Sequence, residues 1–308
     1  MAYLHEGGKR CPNDRAKTPG GWSMARRHKM EVGGLNVRVH PHSEAIYRDL
    51  IHDLYGLRAI AKIHGDRHGL ITSLDRRNQE NTIVAGVLTT FLEIDSGGEW
   101  FNTETMREAS DNEIESIMIP ENLRPNAKYF RFQFDVRRHE LIFEHYSEGD
   151  ILTHNSALKF FDNLAYNRRI TNKYGDVKIS IIQSRGSAEK IFTIPRITDL
   201  EILIEKPNAD IWGEDFEEQA EEHLEEKNAR SMRVSYKSEQ GQGIRRDDEL
   251  DALIRASVNN GRSVAKGYGP SGHLIISTDS YPKVEQEVYE PDEAPSQVFQ
   301  RLARIFRR

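Results

Sequence analysis

Twelve of the 308 residues are histidines, and two pairs of them have spacing that invites a metal reading. His40 and His42 flank Pro41, and His64 and His68 lie four apart around Asp66. Downstream, Glu93 and Asp95 end an apolar run as FLEID. Carboxylates at a strand end, with imidazoles close by, are the raw material of a hydrolytic metal site. Asp66, Glu93, Asp95, His64 and His68 are therefore the set that a metal-dependent nuclease would use. The spacing is not that of a zinc helix, and no D…ExK pattern accompanies it, so the sequence assigns no metal ligand. The other catalytic signatures are missing too. There is no GxSxG nucleophile elbow and no GxxxxGK[ST] phosphate loop, and GQGIRR and KGYGPSG read as turns. The single cysteine, Cys11, sits beside Arg10 and Pro12 with nothing to position a base. No catalytic residue and no cofactor is implied, so the expectation leans away from an enzyme.

Cations form the second chemical theme. The formal net charge is −6, which excludes a whole-protein basic field for nucleic acid. The charge is uneven, however. Residues 205–227 hold ten acids and two lysines, whereas the last eleven residues carry Arg301, Arg304, Arg307 and Arg308 with no acid. Arginines are paired at Arg137-Arg138, Arg168-Arg169 and Arg245-Arg246. Such pairs suit phosphate oxygens, with salt-dependent affinity. Arg168 and Arg169 also suit a helix C-terminus, where cations oppose the dipole. The candidate nucleic-acid contacts are Arg137, Arg138, Arg168, Arg169, Arg245, Arg246, Arg301 and Arg304.

These residues need elements to hold them. Residues 1–33 are rich in Gly, Pro, Lys and Arg without a period, and read as a flexible basic arm. Leu35–Val39 is a short strand. Ser43 caps a helix in which Ile46, Leu50, Ile51 and Leu54 recur at helical spacing. AIAKIHG and HGLITSLD form a hairpin around Gly65-Asp66, and TIVAGVLTTFLEID is a long strand. IESIMIP reads as an edge strand. KYFRFQFDV and HELIFEHY form a hairpin with Arg137-Arg138 at its turn. Phe130, Phe132 and Phe134 share one face of it, and Arg131 and Gln133 the other.

Helices and strands alternate from there on. Asn155-Ser156 caps SALKFFDNLAYNRR, and Gly175 and the strand VKISIIQS follow. SAEKIFTI is a short helix and DLEILIEKP a strand. DFEEQAEEHLEEKNA is an acidic helix with Phe216, Ala220 and Leu224 as its apolar stripe. Met232–Lys237 is a strand. Asp247 or Asp248 caps DDELDALIRASVNNG, with Gly261 after it. SVAKGYG and HLIISTD form a last hairpin. Val298, Phe299, Leu302, Ile305 and Phe306 line one face of a basic C-terminal helix. That helix suits docking on its own domain, a sister subunit, DNA or an anionic membrane surface.

The expected fold class is α+β. Residues 1–33 are the arm, and 34–128 a mostly antiparallel β domain with one helix. Residues 129–288 form an α/β sandwich of mixed sheet with helices on one face, and 289–308 a linker and the basic helix. No apolar run is long enough to span a membrane, and no signal peptide precedes the chain. One cysteine fits a reducing, cytoplasmic home.

Several stretches carry a family resemblance: KIHGDRHGLITSL, GVLTTFLEID with GEWFN, IPENLRPN before YFRFQFDVRRHELIFE, KNARSMRVSYKSEQGQGI and STDSYPKVEQEVYEPDE. Over roughly residues 34–292 the chain resembles the bacterial Domain of Unknown Function 4747 family. The order of hairpin, NSALKFFDNLAY helix, DVKISIIQ strand and LEILIEKP strand is more faintly similar to the RexA-like exclusion proteins of phage lambda. The first resemblance carries no active-site residue. The second implies phage defence and DNA binding. The resulting expectation is a non-catalytic, oligomeric nucleic-acid-binding protein of a bacterial or prophage anti-phage, abortive-infection-like system, with DNA favoured as the ligand. The alternatives are a metal-dependent nuclease or toxin-like effector, and a protein-interaction subunit of a defence operon with the C-terminal helix as its handle.

Overall fold

The computed structural model describes residues 27–40, 43–75, 82–206, 223–224 and 226–308. Cys11, His42 and most of the acidic stretch around Phe216 and Ala220 lie outside the described residues. The chain is α+β. Its described strands form a nine-stranded sheet, a four-stranded sheet and a two-stranded ribbon.

The first sheet is built on β1 (His28–Arg38). β2 (Ala61–His64), β3 (Arg67–Leu74), β4 (Ile83–Leu92), β7 (Lys128–Asp135) and β8 (Glu140–Ser147) complete its main path to one side. β9 (Asp150–Ile151) pairs with β8. β10 (Lys178–Ile181) and β15 (Glu285–Tyr289) both pair with β1 on its other edge. The β7–β8 hairpin, expected to open the second domain, pairs with β4 and β1 and so belongs to this sheet. The arm assigned to residues 1–33 gives way at His28, because β1 already begins there. Gly33 and Gly34 break the alternation that would have announced the strand. Both are needed for close approach: a Cβ at Gly33 would lie 2.2 Å from His154 Nε2, and one at Gly34 2.6 Å from the Phe306 ring.

Alternation puts opposite faces of this sheet into two different cores. Leu35, Val37, Phe130, Phe132, Phe134 and Phe143 face α1 (Glu44–Gly56) and α3 (His154–Ala165). Met30, Val32 and Ile142 face α7 (Pro295–Phe306). Ser43 caps α1 as expected, accepting from Ile46 N at 3.3 Å. Thr153, rather than Asn155 or Ser156, caps α3, accepting from Ser156 N at 3.1 Å. The single long helix expected there breaks after Ala165, and α4 (Arg168–Tyr174) starts afresh on an Asn167 cap. Arg168 and Arg169 consequently open a helix instead of closing one.

Between β4 and β7 the chain makes an excursion with the ribbon β5 (Phe101–Asn102) and β6 (Arg107–Glu108). The edge strand expected at IESIMIP is absent. A short helix, α2 (Asp111–Glu115), forms instead, because Ser110 and Glu113 make a reciprocal capping box.

The second sheet runs β12 (Ser231–Lys237), β11 (Arg196–Glu205), β13 (Gly261–Gly269), β14 (Gly272–Ser277). Every pairing among the described strands is antiparallel, so the mixed sheet expected for the second half is not formed. Its would-be neighbour β10 joins the first sheet. Ile197, Leu200, Ile202 and Ile204 pack against α5 (Ser187–Phe192) and α6 (Asp248–Asn259). Asp247 caps α6 through Leu250 N at 2.8 Å. Arg38 of β1 meets Glu205 of β11 and ties the two sheets together. Among the described residues no helix is long and apolar enough to cross a membrane.

Candidate nucleic-acid interface

The eight arginines singled out by sequence do not converge. Arg137 Nε donates to Glu44 at 3.2 Å, near the start of α1. Arg138 donates to the carbonyl of Arg307, and Lys283 to that of Phe306, so both cations cap the C-terminus of α7. Arg168 and Arg169 are exposed on α4, which pairs through Lys173 with Asp53 near the other end of α1. Nine residues separate Glu44 from Asp53, roughly 14 Å along the helix axis. Arg246 is committed to Asp251 through two contacts of 2.8 and 2.5 Å and lies 4.0 Å over the Phe192 ring. Arg301 bridges Glu287 and Glu293 at 2.5 and 2.6 Å. Arg245 is exposed in the segment before α6, and Arg304 is exposed on α7.

Two members of the nuclease set adjoin beside the paired ends of β3 and β4, where Glu93 N donates to the Asp66 carbonyl at 2.8 Å. Glu93 receives Arg124 at 2.8 and 2.9 Å, and Asp95 receives Gly97 N at 3.0 Å. His68 Nδ1 lies 3.0 Å from the Asp66 carbonyl, leaving the carboxylate out of the contact. Among the described residues no group of three His, Cys, Asp or Glu side chains could hold a metal.

Buried ionisable groups serve the first sheet. Glu144 is fully buried and accepts from Arg131 N and Nη1, each at 2.7 Å. Burial nevertheless pushes its carboxyl pKa up. His154 packs on Gly33, with its ring centroid 4.6 Å from that of His145. Burial, and then His145, lowers its pKa to about 4, so the ring is neutral.

Among the described residues, a broad face that gathers ligand-type side chains is on the second sheet, opposite α5 and α6. Cross-strand partners in an antiparallel sheet share a face, so register gives its rows. Arg196, Tyr268 and His273 form the first, from β11, β13 and β14. Lys237, Asp199, Lys266 and Ile275 form the next. Ser235, Glu201 and Val264 follow, then Arg233, Leu203 and Arg262. The Arg196 guanidinium lies 4.6 Å over the Tyr268 ring, and His273 meets that ring edge-on at 5.6 Å. Tyr268 is 45% exposed and Ile275 61%. Five cations stand against the carboxylates of Asp199 and Glu201. Arg233 reaches Glu201 at 3.4 Å and Arg262 reaches Asp279 at 3.7 Å, long exposed pairs that a phosphate can displace. Lys237 and Lys266 have no carboxylate within ion-pair distance among the described residues.

A family model described as Domain of unknown function (DUF4747) matches residues 28–304. The chain belongs to this family. The match opens at the first residue of β1 and closes within α7, so both sheets and the open face lie inside the DUF4747 unit. No curated protein matches the chain.

The sequence reading passed over the open face of this DUF4747 protein. Its signal is alternation in RSVAKGY and RVSYK, where every second residue is cationic, aromatic or small. That signal has no meaning until the covered face is known, because the intervening residues alternate equally well.

Proposed function

We propose that the protein is a non-catalytic nucleic-acid-binding protein that grips single-stranded segments on the open face of its second sheet. The observation that carries this reading is the Arg196–Tyr268–His273 row, flanked by four further cations, on a solvent-facing sheet of a chain whose net charge is −6. A tyrosine ring with one face open and a guanidinium alongside is a platform for any base, and lysines spaced along the strands suit the phosphates between bases. A shallow sheet favours unstacked bases over a duplex, whose base edges lie inside grooves. The faint likeness to phage-exclusion proteins supports a setting in bacterial or prophage defence.

The test is fluorescence anisotropy with labelled single-stranded DNA and RNA oligonucleotides and their duplexes. Tyr268→Ala removes one stacking surface of about 1–3 kcal/mol, so affinity for the single strands is expected to fall roughly five- to a hundred-fold. Tyr268 is half exposed, so the fold survives. Unchanged affinity in Tyr268→Ala, or tighter binding to duplex than to single strand, overturns the reading.

A further inference from the structure

The excursion of residues 93–127 has features that neither the fold nor the proposed function uses. Not one of its 35 residues is buried. Backbone bonds tie its two ends to the first sheet, from Glu93 N to the Asp66 carbonyl and from Leu92 N to that of Pro125. Between them local bonds shape it: the Ser110–Glu113 box, Asn102 Nδ2 donating to Glu113 at 2.5 Å, the β5–β6 ribbon and the Glu93–Arg124 pair. Ordering so long a segment without burial is costly, and such excursions in compact domains are generally functional. It also displays large apolar side chains to solvent. Phe101 is 59% exposed, Met106 71%, Met118 91% and Leu123 58%. Nine carboxylates accompany them against only Arg107 and Arg124, a net charge of −7 within one segment. Apolar side chains set among charges of one sign mark a docking surface for a partner of the opposite sign.

Such a partner surface exists on the same chain. The open face of the second sheet carries five cations against two carboxylates, with Tyr268 and Ile275 exposed between them. We infer that residues 93–127 of one copy dock on the second-sheet face of another, with Phe101, Met106 and Met118 set against Tyr268 and Ile275 and the carboxylates against Arg196, Lys237 and Lys266. The contact joins two different surfaces, so it is head-to-tail, and it assembles rings or open chains according to whether the rotation closes. Because it occupies the face proposed for nucleic acid, the acidic excursion and an oligonucleotide exclude each other. The assembly itself does not depend on nucleic acid binding there.

Sedimentation velocity of the full chain over a concentration series tests this at low and high salt. Association at low salt, weakened by salt, is expected. Two variants separate the halves of the contact: Phe101→Ser with Met118→Ser in the excursion, and Lys237→Glu with Lys266→Glu on the face. All four side chains are solvent-facing, so both proteins fold. Each variant alone is expected to associate at least tenfold more weakly than wild type. A mixture of the two retains one intact excursion and one intact face, so it is expected to form a one-to-one dimer and nothing larger. A wild type that stays monomeric at low salt, variants that still associate, or a mixture that fails to pair overturns the inference. Adding a single-stranded oligonucleotide separates this result from the nucleic-acid reading. If the oligonucleotide binds, it is expected to dissolve the assembly, and coexistence of the two on one face contradicts the shared site. If it does not bind at all, the nucleic-acid reading fails while the assembly result stands.

Discussion

Removing the C-terminal helix separates two roles that the sequence left open for it, a handle for a partner and a structural element. A handle can be deleted without harm to the fold. The structure instead seats Val298, Phe299, Leu302, Ala303 and Phe306 of α7 on Met30, Val32, Ile142 and Tyr289. At about 1.5–3 kcal/mol for each of its four large buried side chains, the helix contributes on the order of 6–12 kcal/mol as an upper estimate. That is comparable to the whole stability of a typical protein, about 5–15 kcal/mol. Arg138 and Lys283 would also lose the terminal carbonyls they cap, and Arg307 would no longer reach Gln133 at 2.9 Å. Deletion of residues 295–308 is therefore expected to abolish cooperative folding. Phe306→Ala is the graded form. Its ring fills the space over Gly34, which has no side chain to relax into the gap, so the cost is placed at about 3–5 kcal/mol. Urea unfolding followed by far-UV circular dichroism reads both. A deletion variant with the wild-type midpoint and slope would refute the reasoning and restore the helix as a free handle.

Two further outcomes follow from His154. Its folded pKa is depressed to about 4, whereas the unfolded imidazole titrates near 6.5, so between those values the unfolded chain binds more protons. Stability is present above about pH 6.5 and is lost as pH falls toward 4, by about 3 kcal/mol from this group. Subtracting the pH dependence of a His154→Gln variant isolates it from the buried carboxyls, and identical wild-type and variant slopes from pH 4 to 6.5 would contradict the assignment. Gly33→Ala forces a Cβ against the same ring and is expected to cost about 1–3 kcal/mol in urea unfolding. The cost should largely vanish in a His154→Ala background, and a fully additive double mutant would show that the clash is not the cause.

What the sequence disclosed was local. Phe130, Phe132 and Phe134 alternate strictly and do occupy one core face. Ser43 and Asp247 carry the side-chain oxygens that close their helix ends, and Gly65-Asp66 turns a hairpin. The failures arise where tertiary packing decides. Gly33 and Gly34 look like a linker and are the middle of β1, because rings from two distant helices need their bare backbone. The NRRI stretch looks like a helix end, yet Asn167 restarts the chain as α4. Consecutive arginines catch the eye in a sequence, but Arg246 and Arg301 have acids within reach a few residues away on their own elements or the next. The row of Arg196, Tyr268 and His273 comes from three strands, and no short window of sequence contains it.

The most direct measurement is the salt dependence of oligonucleotide affinity for the wild type and for Lys237→Gln with Lys266→Gln. Five cations engaging a single strand give a slope of log affinity against log salt of about −3.5, at roughly 0.7 per phosphate. Loss of two is expected to shallow the slope to about −2 while circular dichroism and urea midpoint stay unchanged. A slope that the double variant leaves untouched, or no binding by the wild type at low salt, would contradict the assignment of the second-sheet face as the nucleic-acid surface.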